Sequence, residues 1–184
     1  DQVITCSAPW VISYDAATGG EIWRAELLEG DVAPSPVFAN GLVYVGGFKD
    51  ARNHGYGVMT YTDGYRYEGE WVNGLREGQG RATYSDGTFY VGAFKAGQRH
   101  GQGTITMPDG FTYTGRWEQG EIDGPGVATY VNGDRYDGMF SQGKRQGEGN
   151  MYYAGGEVAT GVWESGVLTE VMQTSTEGET GSGN

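Results

Sequence analysis

From Tyr44 onward, apolar and polar residues alternate in short runs. Tyr67, Gly69 and Trp71 share one parity and Glu68 and Glu70 the other, and Gly78, Gly80, Ala82 and Tyr84 likewise stand opposite Gln79, Arg81 and Thr83. Successive side chains of a strand point to opposite faces, so each run predicts a strand with one apolar and one polar face. The runs recur every 23 residues without insertion or deletion, in units that begin at Tyr44, Tyr67, Tyr90, Tyr113 and Tyr136, with a partial sixth at Ala159. Asp63-Gly64, Asp86-Gly87, Asp109-Gly110, Asn132-Gly133 and Gly155-Gly156 close the units. Such pairs predict two-residue hairpin turns in which both residues take positive φ. Each unit is then a β-hairpin, and turns join the hairpins into one antiparallel sheet.

Composition agrees with this pattern. Of 184 residues 35 are Gly, against a usual share of about 7%. Each costs a helix roughly 1 kcal/mol, so a helical fold is excluded. Aromatics make up 13% of the chain, which argues against simple disorder. A glycine inside a strand leaves room for a close neighbour. Rings from adjacent strands can therefore lie over the glycines of the aromatic face, which gives a single-layer sheet a core without a second sheet.

Each unit opens aromatic-x-Gly-x-aromatic, as in Tyr67-Glu68-Gly69-Glu70-Trp71 and Tyr113-Thr114-Gly115-Arg116-Trp117. A Gly follows three residues later, except in the first unit, which has Ala51 there, and then a Gly-x-Gly pair such as Gly78/Gly80 or Gly101/Gly103. At this strict period the pattern resembles the MORN repeat family (membrane occupation and recognition nexus) over residues 44–166. The resemblance implies an elongated, twisted, grooved β-sheet that serves scaffolding, protein contact or dimerisation, with lipid binding claimed for some members. Inside the repeat the second aromatic alternates Phe48, Trp71, Phe94, Trp117, Phe140, Trp163, and the eleventh position runs His54, Glu77, His100, Asp123, Gln146. Duplication of a two-unit block with interdigitating large and small rings accounts for the alternation.

The first 43 residues depart from the repeat. Tyr14-Asp15-Ala16-Ala17-Thr18-Gly19-Gly20-Glu21-Ile22-Trp23 reads strand, tight turn, strand. With Pro34–Gly46 it is similar to one blade of a quinoprotein-type (PQQ-like) β-propeller. One blade cannot close a propeller, so the resemblance carries no cofactor and no catalytic residue. Counting back one period from Tyr61 and from Asp63-Gly64 lands on Phe38 and Asn40-Gly41. The last strand pair of the blade-like segment is therefore expected to run into the array, with Val3–Leu27 covering the open edge. The alternative is a chimera, natural or engineered, with no biochemical activity of its own. Val167–Thr176 fits a last strand or a short capping helix, and Glu177–Asn184 reads as a disordered acidic tail. The expected fold is all-β: an elongated single-layer antiparallel sheet of stacked β-hairpins with an N-terminal blade-like β cap, in segments 1–43, 44–166 and 167–184.

The formal charge of −12 argues against nucleic acid and anionic lipid, which need a basic footprint. Residues 1–43 hold six acids and one base and residues 167–184 three acids and no base, so the array itself is nearly balanced. Cys6 is alone and reads as a small buried apolar residue. No apolar run reaches the ~18 residues a membrane helix needs; the chain is expected to be soluble, with a signal peptide absent or already removed. His54 and His100 lie four strands apart, roughly 19 Å at the strand spacing, too far to share a metal. The Gly-x-Gly pairs open no helix and precede no G-K-[ST], so they read as structural glycines and not a phosphate loop. Glu68/Glu70 and Asp134/Asp137 read as solvated carboxylates. No cofactor, metal, small-molecule substrate or catalytic residue is expected.

The aromatic face is the one binding feature. Tyr67, Trp71, Tyr90, Phe94, Tyr113, Trp117, Tyr136 and Phe140 share it, and Tyr and Trp dominate protein hot spots. The inner rings are expected to be core and the groove edge open to a protein partner or a second copy of the chain. The reading is a non-catalytic scaffold. Its rivals are a lipid-headgroup module resting on Arg76, Arg99 and Arg145, which recur at one repeat position, and a sugar-binding or enzymatic groove.

Overall fold

The computed structural model describes residues 2–7, 10–15, 17–18, 20–26, 37–39 and 42–176, and every regular element among them is a β-strand. The chain divides into two compact units, Asp1–Ser85 and Asp86–Asn184. In the first, β1 (Gln2–Ser7), β2 (Trp10–Asp15) and β3 (Glu21–Glu26) form an antiparallel sheet of their own. β4 (Val37–Ala39) pairs instead with β5 (Leu42–Lys49), followed by β6 (Arg52–Tyr61), β7 (Arg66–Val72) and β8 (Leu75–Thr83), each antiparallel to the one before. The second unit continues the pattern with β9 (Phe89–Lys95), β10 (Gln98–Thr106), β11 (Thr112–Glu118), β12 (Glu121–Thr129), β13 (Arg135–Ser141), β14 (Lys144–Tyr152), β15 (Glu157–Glu164) and β16 (Val167–Thr176). Residues 167–176, open between strand and helix in the sequence, are thus a strand. The Cys6 side chain, the Pro34–Pro36 stretch and the Glu177–Asn184 tail lie outside the described residues and side chains.

The expected fold of stacked antiparallel hairpins is present, but its turns fall elsewhere. The two-residue turns lie between the aromatic strand and the Gly-x-Gly strand. At Asn73-Gly74 both residues take positive φ, 50° and 88°, which is the hairpin turn that matches strand twist. The Asp-Gly pairs sit in longer loops between units. Gly64 has φ 92° while Asp63 is not in the positive region; Gly64 N donates to Tyr61 O at 3.1 Å and Tyr61 N to Tyr65 O at 2.9 Å. The aspartate acts through its side chain, accepting from Tyr65 N at 2.9 Å. Asp86, Asp109 and Asn132 repeat this contact with Thr88, Phe111 and Asp134. Asx residues fold a loop onto themselves this way without adopting positive φ.

The Gly-x-Gly pair also departs from a plain strand. The register of β7 on β8 runs Gly69↔Gly80 and then jumps to Trp71↔Arg76, so Glu77, Gly78 and Gln79 lie opposite Glu70. Gly78, with φ 65°, makes this bulge, and bulges re-aim the chain while increasing local twist. The two glycines therefore have different tasks: the first bends the strand, and the second lies beneath a ring. The shift recurs at β5/β6, β9/β10, β11/β12 and β13/β14.

The turn Asp50-Ala51 shows what the glycine of the tight turn contributes. Ala51 occupies the second position with φ 58°, a region that costs a non-glycine residue about 1–3 kcal/mol. Ala51→Gly removes that strain and adds some unfolded-state entropy. Urea denaturation should show a gain of about 1 kcal/mol with the m-value unchanged; an unchanged midpoint would contradict the turn assignment.

Candidate functional site

The eight aromatic residues of the expected groove lie where their parity places them, and they are covered. Tyr67, Tyr90, Tyr113 and Tyr136 are 0% exposed, and Trp71, Phe94, Trp117 and Phe140 between 2 and 5%. Within each compact unit they pack with further rings. In the first unit Tyr44 meets Phe48 and Trp71 edge-on, with centroids 5.0 and 5.5 Å apart, and Tyr67 meets Trp71 at 5.1 Å. In the second, Tyr90 packs on Phe94 and Trp117, Tyr113 on Trp117 and Phe140, and Tyr136 on Phe140 and Trp163, all edge-to-face at 5.1 to 5.6 Å. Each ring thus offers its edge to a neighbour's face, the arrangement the aromatic quadrupole favours.

The tyrosines are also anchored through their hydroxyls. Tyr44 donates to Gly47 O, Tyr67 to Glu70 O, Tyr90 to Ala93 O, Tyr113 to Arg116 O and Tyr136 to Met139 O, at 3.0 to 3.2 Å. In every case the acceptor lies three residues ahead, at the bulge. To reach it, the ring lies flat over the second Gly of the Gly-x-Gly pair: a Cβ at Gly80 would sit 2.7 Å from Tyr67 Cζ. Trp71 and Trp117 donate their indole N–H to Gly57 O and Gly103 O at 3.2 and 3.1 Å, whereas Trp163 Nε1 is buried without a partner.

Of the polar candidates of the sequence, His54 keeps a buried Nδ1 without a hydrogen-bond partner, and those that follow have structural partners. Arg99 and Arg145 stack over Trp117 and Trp163, 4.4 and 4.3 Å from the ring centroids, and donate to Gly120 O and Gly166 O of the next unit's tight turn. Arg76 lies over Tyr65 and Tyr67 and donates to the Tyr65 hydroxyl. His100 faces Glu118 with Nδ1 3.6 Å from Oε1. In the same column Asp123 accepts from Gln142 N at 3.3 Å and Gln146 from Ser165 N at 3.0 Å, so this column caps the next turn. Among the described residues, no group of three or more His, Cys, Asp or Glu is placed to hold a metal. Glu70 accepts from Gln79 N at 2.9 Å, Asp134 from Ala154 N at 2.9 Å, and Asp137 pairs with Arg135 at 2.8 Å. Burial alone would raise the Glu68 carboxyl, but Arg66 at 2.7 Å and the Tyr56 hydroxyl at 3.0 Å hold it below its usual range. That is the opposite of what a general acid requires.

What remains open on the aromatic face of the second unit is a shallow cleft of about 320 Å³. Ile105, Trp117 and Ile122 contribute to it, together with Arg99, Met107 and Gln142. It occurs where Ile122 stands at the repeat position that Arg76, Arg99 and Arg145 occupy elsewhere. Sequence reading missed this: the arginine recurrence was visible, but not that two of the five full units lack it, with Asn53 in the first and Ile122 in the fourth. Among the described residues there is no helix long and apolar enough to cross a membrane.

Burial pushes the hydroxyls of Tyr44, Tyr113 and Tyr136 up from 10.0 to about 12 and raises Tyr67 as well. Below pH 10 both folded and unfolded chains keep these protons, and the stabilisation is fully present. As pH climbs from 10 towards 12 the unfolded tyrosines ionise first, so stability falls. An alkaline titration should show tyrosinate absorbance from these buried tyrosines appearing together with loss of β circular dichroism above pH 10. Their ionisation near pH 10 with the fold intact would contradict the burial.

The MORN repeat model matches residues 44–64, 67–89, 90–112, 113–135 and 136–158. The blade-like resemblance of residues 3–46 lies almost wholly outside that match. No curated protein matches the chain. Among solved structures, the chain is similar to the TCP domain of Drosophila melanogaster SAS-4 (dCPAP), solved in complex with a proline-rich motif of Ana2. Identity is 15%, coverage 88% of this chain and 77% of that one, and TM-score 0.46. The TCP10 domain of Danio rerio CPAP is 14% identical over 95% of this chain and 84% of that one, with TM-score 0.38. BamB of Moraxella catarrhalis is 13% identical over 96% and 70%, with TM-score 0.23. At such scores these likenesses carry no functional inference. The five in-phase family matches span more than half of the sequence, and the chain belongs to the MORN-repeat family.

Proposed function

We propose that this chain is a non-catalytic scaffold that holds a protein partner, or a second copy of itself, against the aromatic face of its repeat array. The observation that carries the reading is the cleft at Ile122. An apolar floor lies there beside an arginine already ordered by stacking on Trp117, and aromatic and Arg anchors of this kind supply most binding energy at protein interfaces. Tyr90, Phe94, Tyr113, Trp117, Tyr136 and Phe140 underlie this face in the second unit, as Tyr67 and Trp71 do in the first. Because so little of them is exposed, partner contact falls to the rim, at Arg99, Met107 and Ile122. The lipid reading loses its support, since the arginines it rests on cover rings and, at Arg99 and Arg145, cap turn carbonyls.

Alanine at Trp117 or Phe94 would test folding as much as binding, so the rim gives the cleaner experiment. A photoreactive residue at Ile122 should yield a saturable protein adduct in extract of the source cells, and one at Thr104, on the opposite face, should not. Met107→Glu, at a side chain 37% exposed, should leave the fold intact and abolish the adduct. Equal labelling from both faces would contradict the groove.

A further inference from the structure

Ala159 stands where the five preceding units carry Tyr44, Tyr67, Tyr90, Tyr113 and Tyr136. β16 substitutes for the missing phenol in part. Leu168 Cδ1 lies over Gly161, 2.6 Å from where a Cβ would be, and Thr169 Oγ1 donates to Val162 O at 3.2 Å. Val162 is the repeat equivalent of the carbonyls the tyrosines engage. A leucine does not fill a phenol's space. A cleft of about 550 Å³ remains beside Ala159, Tyr153, Leu168, Val171 and Thr174.

β16 is the last strand of its sheet among the described residues. Free edges are normally protected by Pro, Lys or other charges, short length or bulges. Residues 167–176, VLTEVMQTST, hold no Pro and no base, and Glu170 is their one charge. Val167, Val171 and Met172 are 64, 58 and 59% exposed. Two register shifts against β15 fall in its first part, leaving Gln173–Thr176 in regular pairing with Glu157–Thr160 beside the cleft. An edge of this kind takes up another strand.

The array indicates what that strand would carry. The second aromatic of each unit reaches back two strands: Trp117 on β11 meets Tyr90 on β9 at 5.3 Å, Phe140 meets Tyr113 at 5.1 Å and Trp163 meets Tyr136 at 5.3 Å. By the same geometry, a strand added beyond β16 leans an aromatic ring over β16 towards Ala159. Charge sets its flanks. Residues 146–184 hold six acids, Glu148, Glu157, Glu164, Glu170, Glu177 and Glu179, and no base. A second copy would bring the same acids to the seam, and like charges across paired strands are destabilising.

We propose that the outer edge of β16 is a strand-addition site for an extended, basic segment of a protein partner that places an aromatic side chain in the cleft beside Ala159 and Leu168. It is distinct from the cleft at Ile122, and either site can fail without the other.

The test uses the full chain and a synthetic peptide of residues 112–118 with two lysines added at each end, read by amide chemical shifts and fluorescence anisotropy. Shifts are expected in β15 and β16. Affinity should fall about tenfold when the peptide's tryptophan becomes alanine, the size expected for loss of an aromatic contact. It should also fall when glutamates replace the lysines, or when the protein carries Val171→Glu at its exposed position. Methylation of alternate peptide nitrogens, which removes the ladder donors, should abolish binding. Absence of binding, equal binding of the methylated or glutamate peptide, or shifts confined to Arg99, Trp117 and Ile122 would each overturn the proposal.

Discussion

A tyrosine ring laid across a glycine is the contact on which the array depends. A single-layer sheet has no second layer to exclude water from its apolar face, so it must build a core from side chains that lie down on their own backbone. Tyr113 does this over Gly126, whose missing Cβ is the space the phenol occupies. The Arg116 carbonyl fixes how far the ring reaches, and Trp117 and Phe140 close its sides. The bulge that presents the carbonyl, the glycine beneath the ring and the aromatic of the next unit are therefore one device, reused in every full unit.

Much of this device was legible in the sequence, because steric requirements repeat as residue types. The period, the strand faces, the burial of the Tyr and Trp/Phe positions and the role of glycine beneath rings all follow from alternation and spacing. The turns were misassigned because Asp-Gly is a strong hairpin signal in isolation, whereas here Asp63 works through its carboxylate and only Gly64 needs positive φ. The tight turn went to pairs such as Ala96-Gly97 and Gln119-Gly120, whose first residues carry no turn signature. The bulge was hidden for a related reason: Gly78 and Gly80 share a parity on paper, and only the register shows that they do not share a task.

The candidate binding surfaces correspond in the sequence to absences and not to motifs, which is why reading for recurrence passed over them. Ile122 interrupts a column of arginines that brace the neighbouring rings and turns, and Ala159 interrupts a column of tyrosines. In an array whose units otherwise satisfy one another, a departure from the repeat leaves a surface that no neighbouring unit covers. The charge has the same logic: the array is nearly balanced, and the excess of acid gathers towards its ends, where β16 meets solvent.

A double-mutant cycle between Tyr113 and Gly126 tests the central contact most directly, with stability read by urea denaturation. If the ring over the glycine is the constraint, Gly126→Ala alone should cost about 2 kcal/mol or more through overpacking. In a Tyr113→Val background, where the short side chain does not reach position 126, the same change should cost nothing or stabilise slightly, as expected for removing a strand glycine. An equal cost of Gly126→Ala in both backgrounds would show that the glycine serves something other than the tyrosine.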